Sequence, residues 1–166
     1  MIIKKRHPLS SKEQKELLEK VRQQYPCIYD KMDRKKTIEV IETAKEETIY
    51  LQEGRPLLFS GGGRVVPCLR ASQEGLEALP KVVVDMGAVP HIVNGADVMS
   101  PGIRGLAGEA SVGGVVVVVE ERYGKPLAIG TLLMDPKDIW DKKKGKAVKN
   151  LHHVGDELWN FTEAHM

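Results

Sequence analysis

Asp85, Asp97, His152, His153 and the serines Ser60, Ser72, Ser100 and Ser111 are the side chains of this sequence whose chemistry could support catalysis. A serine nucleophile needs its hydroxyl on a sharp strand-to-helix turn, and no GxSxG surrounds any of these four. His152 and His153 are adjacent, so in a strand their side chains leave on opposite faces and do not converge on one metal ion. Each is expected to be a partly buried, hydrogen-bonded histidine. Asp85 and Asp97 stand at a strand end and after a short helix, where aspartate more often caps a backbone turn than transfers a proton. Cys27 and Cys68 have no CxxC spacing and no histidine partner, so buried free thiols are expected before a disulfide, and zinc is not. "SGGGR", Ser60 to Arg64, is glycine-rich but lacks the GxxxxGK[ST] spacing of a phosphate loop and reads as a hairpin tip. No base, nucleophile and orienting partner assemble from these residues, so neither an enzyme nor a cofactor is expected.

The elements around them divide at Pro80. Ser10 and Ser11, followed three residues later by Glu13 and Gln14, form a capping-box signal, and Leu17, Leu18, Val21 and Tyr25 recur at helical spacing until Pro26. "KTIEVIE" from Lys36 and "TIYLQ" from Thr48 alternate as strands, and "PLLFSGGGRVVPCL" reads as two strands joined by a glycine turn. Beyond a short helical stretch in "EGLEALPK" the pattern becomes strand-rich. "KVVVD" is a strand, "MGAVPHIVNG" a short helix closed by Gly95, and "VVVVVEE" and "LAIGTLL" are strands flanking a turn at Tyr123 to Pro126. "PKDIWDK" follows as a helix with Pro136 in its first turn, and "GKAVKNLHHV" as a closing strand. Valine on both faces of the run Val115 to Val119 predicts a strand buried on both sides. Several short strands in about 80 residues predict a small closed or half-closed barrel.

Composition fits this division. The chain has 166 residues, 42% hydrophobic and 29% charged, which is the balance of a globular protein. Its longest apolar run is too short to cross a bilayer, and "MIIKKRHPLSSKEQ" has no apolar core behind its basic residues, so a cytoplasmic protein without a membrane partner is expected. The net charge of +2 carries little information, but its distribution does: through Pro80 there are 15 Lys and Arg against 12 Asp and Glu, and beyond it 10 against 11. "KKR" at Lys4 to Arg6 and "DKKKGK" at Asp141 to Lys146 are local basic patches, a pattern that usually means solvated surface.

One run remains unexplained by any of this: "NGADVMSPGIRG", Asn94 to Gly105. From Asp85, "DMGAVPHIVNGADVMSPGI" resembles the signature of the PUA domain, the RNA-binding module named for pseudouridine synthases and archaeosine transglycosylases. "GKPLAIGTLLMDPKDI" and "GKAVKNLHHVGDELW" resemble its second hairpin with helix and its closing strand. The first half, with "GRPLLFSGGGRVVPCLR" before that module, resembles the malignant-T-cell-amplified-sequence family, in which a pre-PUA domain precedes a PUA domain, and an archaeal relative of that build is expected. The sequence departs from the family in having Gly113-Gly114 where a Gly-Asp commonly precedes the long strand.

The resemblance implies an α+β pre-PUA domain over 1–79, a mainly-β PUA pseudo-barrel over 80–160 and a tail over 161–166. It implies a non-enzymatic protein that binds RNA, a tRNA 3′ end or ribosomal RNA, in translation initiation or ribosome recycling, with a translation-factor protein meeting residues 1–79. An accessory subunit of an RNA-modifying enzyme and a scaffold that has lost RNA binding are the alternatives. Carried onto this sequence, the RNA-binding residues are Gly87, Ala88 and His91 on the helix, Gly95, Ala96, Asp97, Val98, Met99, Pro101, Gly102 and Ile103 in the loop, Arg104 just past it, and Lys149, His152 and Gly155 around the last strand. Glycine lets a backbone approach a ligand, Pro101 stiffens the turn, Val98, Met99 and Ile103 are expected to be exposed for packing on bases, and Arg104 for phosphate.

Overall fold

Ser10 opens the first helix as its sequence requires. The hydroxyl accepts the N–H of Glu13, and the Glu13 carboxylate accepts the N–H of Ser10 at 3.2 Å, closing both halves of the capping box. In the computed structural model, which describes residues 1–61, 63–71 and 73–165, the chain forms two units, Met1–Ala78 with Asn160–Met166, and Leu79–Trp159.

In the first unit, β1 (Ile3–Pro8), β2 (Ile38–Thr43), β3 (Thr48–Gln52), β4 (Arg55–Gly61) and β5 (Arg64–Pro67) form an antiparallel sheet in that order. Between β1 and β2 lie α1 (Ser11–Gln24) and α2 (Pro26–Lys31), separated where Pro26 cannot continue the first helix. Gln14 on α1 locks the entry to β2, its amide donating to the Lys36 carbonyl at 2.8 Å and accepting the N–H of Ile38 at 3.0 Å. Leu17 and Val21 bury the inner face of α1, and the Tyr25 hydroxyl donates to the Val65 carbonyl at 2.8 Å. A short α3 (Gln73–Glu77) follows β5. The hairpin joining β4 and β5 is as the sequence implies, although Gly62 at its tip lies outside the described residues, as do Ser72 and Met166. Neither cysteine forms a disulfide; Cys68 is buried, but Cys27 is exposed near the start of α2, against the expectation that both are inside.

The second unit carries the valine run. Its strands are β6 (Lys81–Val84), β7 (Val98–Met99), β8 (Ile103–Ala107), β9 (Val115–Glu120), β10 (Pro126–Leu132) and β11 (Lys146–His153). A 3-10 turn at Met86–Ala88 and α4 (Val89–Ile92) follow β6, α5 (Pro136–Lys142) precedes β11, and α6 (Glu157–His165) makes the segment read as a tail helical to His165. The sheet order is β7-β11-β10-β9-β6-β8, with only β6 and β9 parallel.

That order has a geometric consequence. β7 and β8 are the two edges of a six-stranded sheet, yet only Ser100–Gly102 separate them in the chain. The sheet must therefore curl until its edges meet, which makes it a pseudo-barrel whose seam is "MSPGI". Val82, Val84, Val116, Val118, Ile92, Val98 and Ile103 fill the interior with Leu127 and Ala128 of β10. Val115, Val117 and Val119, on the other face of β9, are buried as well, as valine on both faces implies. The barrel bends at Gly130, where the β10 and β11 register shifts and a Cβ would stand 2.5 Å from the Lys149 carbonyl oxygen.

Candidate functional site

The seam is built by three residues that hold it from below. Asp85 follows β6, and its carboxylate accepts the Ala88 N–H at 2.8 Å, capping the 3-10 turn. Its own N–H donates to the Gly102 carbonyl at 3.0 Å, and its other oxygen meets Arg104 Nη2 at 3.0 Å. Ser100 is buried, its N–H donating to the Gly145 carbonyl and its hydroxyl to the Ile139 carbonyl, both at 2.9 Å. Asn150, on β11, clamps the remaining side: its amide donates to the carbonyls of Ile92 and Ala96 at 3.0 Å each, and its backbone N–H donates to Asp97 at 2.9 Å. Both aspartates thus serve the backbone, as their positions imply.

The N–H of Asn150, aided by Lys146 Nζ at 3.3 Å, holds the Asp97 carboxyl below its ordinary range against the opposing effect of partial burial. The pair lines a groove of about 590 Å³ between α4 and the seam. Ala88, His91, Gly95, Ala96, Asp97, Val98, Met99 and Gly102 all line it, so the structure brings together much of what the sequence nominates. Ile92 and Lys146 line it too and were not nominated. Lys146 had a signal in the basic run that opens β11; Ile92 had none beyond helical spacing.

Not every nominated residue is placed as expected. Val98 and Ile103, expected to be exposed, are 2% and 4% accessible because barrel closure turns both into the core; Met99 alone of the three faces out, at 47%. His152 is also buried, its Nδ1 2.8 Å from Asp156, so its side chain does not reach the surface. Burial opposes ionisation of Asp156, but His152 and the N–H groups of Trp159 and His153 hold its carboxyl below the ordinary range. His153 points the other way, its Nε2 3.4 Å from where a Cβ on Gly95 would stand. Gly95 has φ +98°, a conformation that favours glycine; Gly102 does not have positive φ, and a Cβ there would only touch Ala88 at 3.6 Å. Gly87, Pro101, Arg104, Lys149 and Gly155 are exposed outside the groove. Arg104 is tied to Asp85 and to the Pro101 carbonyl at 3.0 Å.

The arrangement offers exposed backbone, an imidazole, a thioether and an ammonium around an apolar floor. It can bind a flat, partly polar ligand. No group of three or more His, Cys, Asp or Glu among the described residues is placed to hold a metal ion, and no helix there is long and apolar enough to cross a membrane.

Two family models match the chain: "PUA domain" over residues 80–154 and "Domain of unknown function (DUF1947)" over residues 5–73. Translation machinery-associated protein 20 of Saccharomyces cerevisiae is 33% identical over 167 residues, covering 95% of this chain and 92% of that protein. Malignant T-cell-amplified sequence 2 of Homo sapiens is 28% identical over 140 residues, 82% of this chain and 77% of that one. Among solved structures, a hypothetical protein of Pyrococcus horikoshii OT3 superposes with a TM-score of 0.81 at 41% identity, covering 95% of this chain and 99% of that one. Agreement of both halves, in order and over nearly the whole length, places the chain in the family of two-domain PUA proteins that includes Translation machinery-associated protein 20.

Proposed function

We propose that the protein binds RNA during translation, and that the groove beside the seam takes an unpaired nucleotide of a tRNA 3′ end or of ribosomal RNA. The observation that carries this reading is the groove itself: backbone exposed at Gly95 and Ala96, the thioether of Met99 for a base, His91 for a base edge, and Lys146 for a phosphate. Single-stranded RNA is recognised by such surfaces because an unstacked base presents both a face and edges. The name of the yeast relative supports a place in translation. Gly87, Pro101, Arg104, Lys149 and Gly155 are proposed as flanking contacts, and the unit holding Met1–Ala78 as the surface for a translation-factor protein. Catalysis has no part in this reading, and the cytoplasm is the proposed location.

The experiment is binding of labelled tRNA with and without its terminal CCA, by fluorescence anisotropy. Loss of most of the affinity with the trimmed tRNA supports the reading; equal binding moves the contact away from the 3′ end, and no binding to tRNA or ribosomal RNA overturns it.

A further inference from the structure

Met99 and Lys146 line the groove, and the surface beside them in the chain has no role in the account above. Ser100 fixes that surface through its bonds to Ile139 and Gly145, so the residues next to each, Trp140 and the run Lys142–Lys144, are held beside the seam. Trp140 is 42% exposed. Of the acids in the segment, Asp135 accepts the Lys137 N–H and Asp138 meets Lys142 Nζ at 3.7 Å, while Asp141 is exposed; Asp97, on the groove, meets Lys146. Lys143 and Lys144 are exposed and have no ion-pair partner among the described residues. Lys143 also has φ +49°, in the left-handed region where glycine is the low-cost residue. One cation at a helix C-terminus answers the helix dipole, and Lys142 in the last turn already provides it. The dipole does not explain two further lysines beside an open indole.

We infer that Trp140, Lys143 and Lys144 form a second RNA contact continuous with the groove: the indole stacks on a base of the single strand that leaves the groove past Met99, and the two ammonium groups meet the phosphates flanking that base. Every base has a π face and every linkage a charge, so this pairing recognises single-stranded nucleic acid without regard to sequence. The inference rests on the RNA reading above.

The test uses the full chain and labelled RNA hairpins carrying a short 3′ tail of about three adenylates or a long one of about eight, a span suited to a site of several nucleotides. Wild type is expected to bind the long tail about ten-fold more tightly than the short one. Trp140→Ala, and separately the double variant Lys143→Ala/Lys144→Ala, are expected to lose that gain while binding the short tail as wild type does and keeping the wild-type melting curve. The double variant should also lower the salt slope on the long tail by about 1.4 units, the value for two phosphates of a single strand. Tryptophan emission should be quenched by the long tail in wild type and not in Trp140→Phe. If the gain with length persists in both variants, the second contact is overturned and the groove reading stands. If wild type itself shows no gain with length, the second contact is again overturned. If wild type binds no hairpin of either kind, both readings fall together.

Discussion

Arg104 Nη2 stands 3.0 Å from Asp85 Oδ2, joining the first residue past β6 to the edge strand β8 across the base of the seam. The guanidinium is therefore an ion-pair partner that also faces solvent, with 52% of its side chain exposed. An exposed pair of this kind contributes under about 1 kcal/mol. Arg104→Ala is expected to leave the melting temperature within a few degrees, weaken binding to every RNA and lower the salt slope by about one unit. Asp85→Ala is expected to keep the slope and to melt lower, since it removes the cap on Ala88, worth about 1 kcal/mol. The reverse ordering, with the slope lost in Asp85→Ala and kept in Arg104→Ala, would show that Arg104 serves only the seam.

Val98 and Met99 are neighbours in β7 with opposite environments, 2% and 47% accessible. Val98→Ala removes buried methyl groups from the barrel core and is expected to cost about 2 kcal/mol in urea unfolding. Met99→Ala should change stability by less than about 0.5 kcal/mol and still weaken RNA binding severalfold. Unchanged RNA binding in folded Met99→Ala would remove the thioether from the site.

Gly130 permits the close approach of β10 to β11. A Cβ there would stand 2.5 Å from both the Lys149 carbonyl oxygen and Val148 Cγ1, and the carbonyl belongs to the backbone and cannot swing aside. Gly130→Ala is expected to destabilise the barrel by about 2–3 kcal/mol or more, in the range of overpacked cores. A wild-type urea midpoint for this variant would show that the bulge relaxes freely.

Asp97 gives the groove a pH dependence with a defined sign. The Asn150 N–H first, and Lys146 next, favour its charged form in the folded state, so its folded value lies below the ordinary 3.8. The stabilisation is present in full above about pH 4 and is lost as the pH falls through the lowered folded value. Amide exchange of Gly95 to Val98 should accelerate in that acid range in wild type. Asp97→Asn should show fast exchange in this segment at neutral pH and no further acceleration on acidification; slow exchange at all pH values would mean that the Asn150 amide alone holds the loop.

Signals carried by a single element were legible in the sequence. The capping box at Ser10, the proline between the first two helices, the doubly buried valines of β9 and the helix begun by Pro136 all appear where their residue types require. β1 was not legible, because "IKKRHP" lacks alternation: it is an exposed edge strand, paired on one side with β2. β7 and β8 were hidden in a run of glycine and proline that reads as loop. In the site, His152 is buried and hydrogen-bonded in keeping with its reading, whereas Val98 and Ile103 are read as exposed because spacing along a turn does not reveal which side faces inward. That is decided by closure, which couples residues about fifty positions apart, as Asn150 and Asp97 are.

The seam also sets an order of events during synthesis. β8 pairs with β6, close behind it in the chain, but β7 pairs only with β11, through Met99 with Lys146 and Val98 with Val148. Until Lys146–His153 has left the exit tunnel of the ribosome making it, β7 has no strand to join and Asn150 is not there to close the loop. Such long-range pairing forms late, because loop closure must precede it. The RNA binding proposed for the groove therefore waits on β11, and a chain lacking that strand would leave β7 unpaired and the loop at Ala96 unclamped.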